Sequence, residues 1–122
     1  MPHRKQNLLL QKGFGMNEFE SLYSVIESRK NSTEEKSYTR YLFESGIDKI
    51  LKKVGEESAE TIIAAKNGDN ELLCGEICDL LYHLFVLCSE RGLPLEMIKA
   101  ELKKRSEKSG NLKDMKKVDK NT

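Results

Sequence analysis

Two short segments of this 122-residue chain hold the side chains best placed for chemistry. In the first, Lys53, Glu57 and Glu60 follow helical spacing, and at about 100° per residue they share a face roughly 60° wide. In the second, Glu76, Asp79 and His83 share a face of similar width. If the two helices lie side by side, four carboxylates meet in one crevice. Like-charge repulsion and desolvation make such a cluster costly unless a cation enters it. Ligation by carboxylate oxygens alone suits Mg²⁺ or Mn²⁺ better than metals that prefer nitrogen or sulfur. Glu57, Glu60, Glu76 and Asp79 are therefore the candidate metal ligands. Lys53, one turn before Glu57, is the candidate phosphate contact, with Lys49 and Lys52 as further candidates on the same helix. A single glutamate is ordinary on a helix surface. The argument rests on the paired E-x-x-E and E-x-x-D spacing on consecutive helices.

The segments that must position these groups all read as helices. Asn17, with Glu20 three residues on, opens a helix whose apolar positions Phe19, Leu22, Tyr23 and Ile26 repeat at i, i+3, i+4 and i+7 up to about Arg29. Residues 31–36 are polar and read as a loop. Ser37 caps a short helix that Gly46 ends, and Tyr38, Thr39, Arg40 and Tyr41 on it are candidates to line a nucleotide pocket. The first acid helix spans 47–66. Its apolar residues Ile47, Leu51, Val54 and Ala65, with the small Ser58 and Thr61, centre roughly 80° from Glu57, so the acids are expected to border the buried stripe. Gly55 within it marks a close approach by a neighbouring helix or by a ligand. A turn at 67–70 leads into the second acid helix, which runs to about Arg91 with Leu73, Ile77, Leu80, Leu84 and Cys88 on its apolar side. The short connection makes the two helices antiparallel neighbours. Gly92 stops the second, and Pro94 opens a last helix with Leu95, Ile98 and Leu102 buried, to about Arg105.

The expected fold is an all-α antiparallel bundle of four to five helices over residues 16–105. Residues 1–15 read as an N-terminal extension and 106–122 as a basic polar tail. One small subunit has more apolar helix faces than it can cover, so the bundle is expected to be completed by dimerisation or a higher homo-oligomer.

Composition removes several function classes. The net charge of +1 hides an asymmetry, because residues 1–15 carry +3, residues 103–122 carry +5 and the acidic middle carries −7. The basic ends lack interleaved aromatics and any nucleic-acid module, so no nucleic-acid partner is expected. The longest apolar run, 77–88, is broken by Asp79 and His83 and falls short of the ~20 residues a membrane span needs. No secretory signal precedes the three cysteines, Cys74, Cys78 and Cys88, which read as core thiols of a cytoplasmic protein rather than a disulfide framework. Cys74, Cys78 and His83 fall one ligand short of a structural zinc site.

The fuller text around the acids narrows the reading. Ser37-Tyr-Thr39, Gly46-x-Asp48-Lys-Ile-Leu-Lys-Lys-Val-Gly-Glu-Glu57 and Asp79-Leu-Leu-Tyr-His83 resemble the phosphoribosyl-ATP pyrophosphatases of histidine biosynthesis, within the MazG-like all-α nucleoside-triphosphate pyrophosphatases. The resemblance covers residues 16 to 105. It implies Mg²⁺-dependent hydrolysis of phosphoribosyl-ATP to phosphoribosyl-AMP and pyrophosphate by a homodimer at least. The residues agree with that chemistry, since cleaving a phosphoanhydride needs charge neutralisation and alignment more than covalent catalysis. Glu56, about 40° beyond Glu60 on the helix, is the candidate to orient or deprotonate the attacking water. His83 reads either as a hydrogen-bonded helix histidine or as a substrate contact. A house-cleaning pyrophosphatase for free nucleotides shares the acid signature, and a helical binding module with a structural cation is the non-enzymatic alternative. A di-iron bundle would want Glu-x-x-His, and no Glu lies three before His83.

Overall fold

The computed structural model describes residues 17–32 and 37–108, which form five helices: α1 (Glu18–Lys30), α2 (Tyr38–Ser45), α3 (Ile47–Lys66), α4 (Asn70–Arg91) and α5 (Leu95–Ser106). The fold is all-α. The N-terminal extension, most of the 31–36 loop and nearly all of the basic tail lie outside the described residues. The chain divides into two compact units between Gly92 and Leu93, so that α1 to α4 belong to one and α5 to the other.

Local chemistry sets the helix ends. Asn17 and Glu20 close a reciprocal capping box, with Glu20 N–H donating to Asn17 Oδ1 at 2.9 Å and Asn17 N–H donating to Glu20 Oε1 at 3.2 Å. The Ser37 hydroxyl accepts from Arg40 N–H at 3.1 Å, and Asp69 Oδ1 accepts from Leu72 N–H at 3.0 Å. Gly92 closes α4 in the left-handed conformation at φ 68°, ψ 27°. Gly46 also has a positive φ of 96°, but its ψ of 178° re-aims the chain directly into α3 rather than simply ending α2.

Each of the first four helices contributes one aliphatic side chain with no exposed surface: Ile26, Leu42, Ile50 and Val86. Phe85 joins them and meets Tyr23 and Phe19 edge-on at centroid distances of 6.0 and 6.5 Å. Lys30 Nζ donates to the Ser89 carbonyl at 2.6 Å, while the Ser89 hydroxyl donates to Glu27, so two side chains of α1 clamp it to α4 at Ser89. This core sits at one end of the α3–α4 hairpin. Toward the 67–69 turn the same helices are open, with Ile62 65% and Ile63 57% exposed.

The buried row of α3 differs from the expected one. Ile50, Glu57 and Ala64 are buried, whereas Leu51 is 48% exposed and Ala65 is also exposed. Glu57 therefore lies in the stripe rather than beside it. Hydropathy discounts a charged residue at the centre of a row, which moved the expected axis toward Leu51. On α4 Cys88 is buried, but Ile77 is 41% exposed. Cys74 and Cys78 are exposed rather than core thiols, and all three cysteines are free. In α5 Leu95 is buried, whereas Leu102, expected inside, is 48% exposed. Among the described residues α4 alone has the length and composition to cross a membrane, yet it carries Glu76 and Asp79 near its middle and packs against α1, α2 and α3.

The corrected row predicts mutational costs. Ile50→Ala should lower the unfolding free energy by about 2–5 kcal/mol, the range for a truncated core aliphatic, and Asn17→Ala by about 1 kcal/mol through loss of its cap. Urea denaturation measures both; a loss at Ile50 no larger than that at Asn17 would place the core elsewhere.

Candidate functional site

The hairpin geometry brings the acids together. Glu57 and Asp79 stand equally far in sequence from Gly68, as do Glu60 and Glu76, so an antiparallel pairing about the turn sets them opposite each other. One carboxylate oxygen from each of Glu57, Glu76 and Asp79 can be chosen so that all three lie within 4.8 Å of one another. Glu60 completes the group, since its carboxylate acts on both Glu57 and Glu76. Three of the four acids singled out in the sequence thus share one cluster, and the fourth, Glu60, acts on it electrostatically.

The cluster is electrostatically strained. The Glu57 carboxyl is pushed up to about 7, first by burial, then by the Glu60 carboxylate beside it and by the charges of Asp79 and Glu76. Glu76 is pushed up as well, by burial first and then by Glu60. Glu57 Oε2 and Glu76 Oε1 are buried without any hydrogen-bond partner. Buried carboxylate oxygens rarely stay unsatisfied, and two of them aimed into one group of acids fit the donor set of a hard divalent cation. Beside them, a Cβ added at Gly55 would meet no atom within 4 Å. Contact with a neighbouring helix among the described residues therefore does not explain that glycine.

The basic and aromatic candidates separate into two groups. Lys53 Nζ pairs with Glu56 Oε1 at 3.5 Å, and its ammonium is held above the usual range, first by the Tyr38 phenol and next by Glu56. The proposed water-orienting acid is thus exposed and already bound to the proposed phosphate contact. His83 stands as far from Gly68 as Lys53 does, and is buried. Its Nδ1 lies 2.8 Å from the Asp79 carbonyl, which can only accept, so Nδ1 carries a proton; in the neutral ring Nε2 accepts from the Tyr38 hydroxyl at 3.1 Å. Asp79 and Tyr38 are thereby linked through one imidazole.

The others serve the scaffold or stand apart. Thr39 is buried and hydrogen-bonds the Tyr82 hydroxyl, and Arg40 pairs within α2 with Glu44 at 3.2 Å. Lys52 is exposed. Lys49 approaches Tyr41, with Nζ 5.9 Å from the ring centroid. Tyr82 stacks on Tyr38 at 6.1 Å and meets His83 edge-on at 4.9 Å. An aromatic next to His83 in an otherwise aliphatic helix was its one signal in the sequence.

The raised carboxyl at Glu57 makes metal-free stability depend on pH. Its folded-state value lies above the ordinary 4.5, so between about 4.5 and 7 the folded chain binds more protons than the unfolded one and loses stability as pH rises. Glu57→Gln removes that dependence. The variant should gain in metal-free melting temperature over wild type progressively from pH 5 to pH 8; a gap that is constant with pH would show that Glu57 titrates normally.

A family model described as phosphoribosyl-ATP pyrophosphohydrolase matches residues 19–106. The chain is 57% identical over 102 residues to a phosphoribosyl-ATP pyrophosphatase of Clostridium botulinum, covering 84% of this chain and 93% of that protein. It is 59% identical over 92 residues to one of Clostridium acetobutylicum, covering 75% and 84% of the two chains, and 55% identical over 97 residues to one of Listeria innocua, covering 80% and 93%. The matched span contains all five helices apart from the first residue of α1, together with the four acids. The chain belongs to the phosphoribosyl-ATP pyrophosphohydrolase family.

Proposed function

We propose that this chain hydrolyses phosphoribosyl-ATP to phosphoribosyl-AMP and pyrophosphate, an early step of histidine biosynthesis in the cytoplasm, and that it does so with Mg²⁺, or Mn²⁺ in its place. The observation that carries the reading is the pair of orphaned oxygens, Glu57 Oε2 and Glu76 Oε1, on two of the three acids clustered with Asp79, in a chain of this family. Glu57, Glu60, Glu76 and Asp79 would hold the cation. When bound, it supplies neutralisation of charge on the phosphate oxygens and relieves the repulsion among the acids.

The rest of the site aligns the reactants. Lys53, one turn from Glu57, offsets the charge of the triphosphate, and its pairing with Glu56 fixes where the ammonium sits. Glu56 has a second carboxylate oxygen with which to accept a proton from, or orient, the water that attacks the anhydride. The Tyr38–His83–Asp79 chain of hydrogen bonds holds the aromatic wall in register with the acid row. Water adds to the phosphorus, the anhydride oxygen leaves with pyrophosphate, and the proton lost by water passes to Glu56.

The apolar side chains left open on the hairpin, Leu51, Ile62, Ile63, Leu72 and Ile77, support assembly into a homodimer or a higher homo-oligomer. Such a contact would cover surface that one subunit leaves to water.

Purified protein offered phosphoribosyl-ATP beside ATP, dCTP and dUTP, with pyrophosphate release measured, should prefer phosphoribosyl-ATP. Preference for a free nucleotide would instead favour the house-cleaning activity. Glu60→Gln or Asp79→Asn should lower turnover by at least about 10²-fold, the order lost with one charge contact in the transition state. Either variant retaining more than about a tenth of the rate at saturating Mg²⁺ would remove the shared metal site.

A further inference from the structure

Beyond the acids, α2 and α3 form a ladder of tyrosines and lysines that the hydrolytic chemistry does not require. The Tyr38 phenol acts electrostatically on the Lys53 ammonium, and Lys49, one turn earlier on α3, lies 5.9 Å from the centroid of Tyr41. Lys49 and, after it, Ser45 hold the Tyr41 phenol below its usual range. The Tyr38 and Tyr41 rings stack on each other at 6.0 Å and 28°, and they remain 45% and 47% exposed. Two half-open aromatic rings therefore lie between one cationic position and the next. At 1.5 Å per residue, Lys49 stands about 12 Å along the helix axis from Glu57. Asp48, the preceding residue, is exposed and about 100° round the helix, off the Lys49 face.

That order is acids with Lys53, then flat aromatic surface, then Lys49 with a phenol hydroxyl. The substrate has an order of its own. Phosphoribosyl-ATP carries a triphosphate at one end, a purine in the middle, and a second ribose bearing a single phosphate on the far side of the purine. We propose that Tyr41 and Lys49 bind this second, ribosyl phosphate, with the purine lying across the Tyr38–Tyr41 rings, and that this contact selects phosphoribosyl-ATP over free nucleotides. The inference rests on the proposed function and deepens it. The hydroxyl of Tyr41 donates to a phosphate oxygen and the Lys49 ammonium supplies the opposing charge. AMP and ATP have no group for this subsite, so they gain nothing from it. Selection by a group that one ligand has and its analogue lacks is the kind of discrimination a polar subsite performs well.

The test is equilibrium binding of the product phosphoribosyl-AMP and of AMP to wild type, Lys49→Met and Tyr41→Phe, alongside hydrolysis of phosphoribosyl-ATP by wild type. Both substituted side chains are partly or largely solvent-facing, and circular dichroism confirms the helices. Wild type should prefer phosphoribosyl-AMP, and each variant should lose at least about tenfold of that preference, as expected for one charged hydrogen bond. The loss should fall on phosphoribosyl-AMP rather than on AMP. A preference that stays within twofold of wild type, or affinities for both ligands that drop by the same factor, would overturn the subsite while leaving the hydrolytic reading intact. Failure of wild type to hydrolyse phosphoribosyl-ATP would remove the reading itself and this inference with it.

Discussion

The structure turns on one carboxylate placed where a carboxylate is expensive. Glu57 sits between Ile50 and Ala64 in the buried row of α3, facing Asp79 across the hairpin and flanked by Glu60 and Glu76. Burial and like charges both oppose its ionisation. A row built for stability alone would carry an aliphatic residue at that position, in register with Ile50 one heptad before. The rest of the bundle is arranged to tolerate the intrusion. The fully buried aliphatics of the first four helices gather at the far end of the hairpin, leaving the acid half open enough to admit a ligand.

The same constraint explains how the aromatic wall is fixed. His83 donates to the main-chain carbonyl of a cluster acid and accepts from Tyr38, so the position of α2 is tied to the backbone of α4 at the acid row. Tyr82 adds a second tie through Thr39 and stacks on the same ring. The aromatic groups on α2 and the acid-bearing segment of α4 are thus held by hydrogen bonds whose partners are buried or half-buried, where such bonds matter most.

Much of this was legible before any coordinates. The i, i+3 acid pairs and the short 67–69 turn were enough to place four carboxylates together, because antiparallel pairing about a short turn leaves little freedom. The caps at Asn17, Ser37 and Gly92 were equally legible from local chemistry. The buried row of α3 was not. Averaging hydropathy around a helix treats Glu57 as evidence of a solvated face, so the axis was drawn through Leu51 and Ala65, and both are exposed. The partner of Lys49 was hidden for a different reason: its contact with Tyr41 joins two helices through the sharp turn at Gly46, and no periodicity within either helix encodes it.

The central claim is that the four acids form a cation site rather than a solvated charged face, and the response of folding stability to metal tests it most directly. A cation that binds only the folded chain adds RT ln(1 + [L]/Kd), about 2.7 kcal/mol at a hundredfold excess over Kd. Calorimetry of wild type across a Mg²⁺ titration should show a melting temperature that climbs with metal, while the doubly substituted Glu57→Gln, Glu76→Gln chain starts higher without metal and stays nearly flat. Parallel curves for the two proteins, or a double variant that melts lower in the absence of metal, would contradict the account.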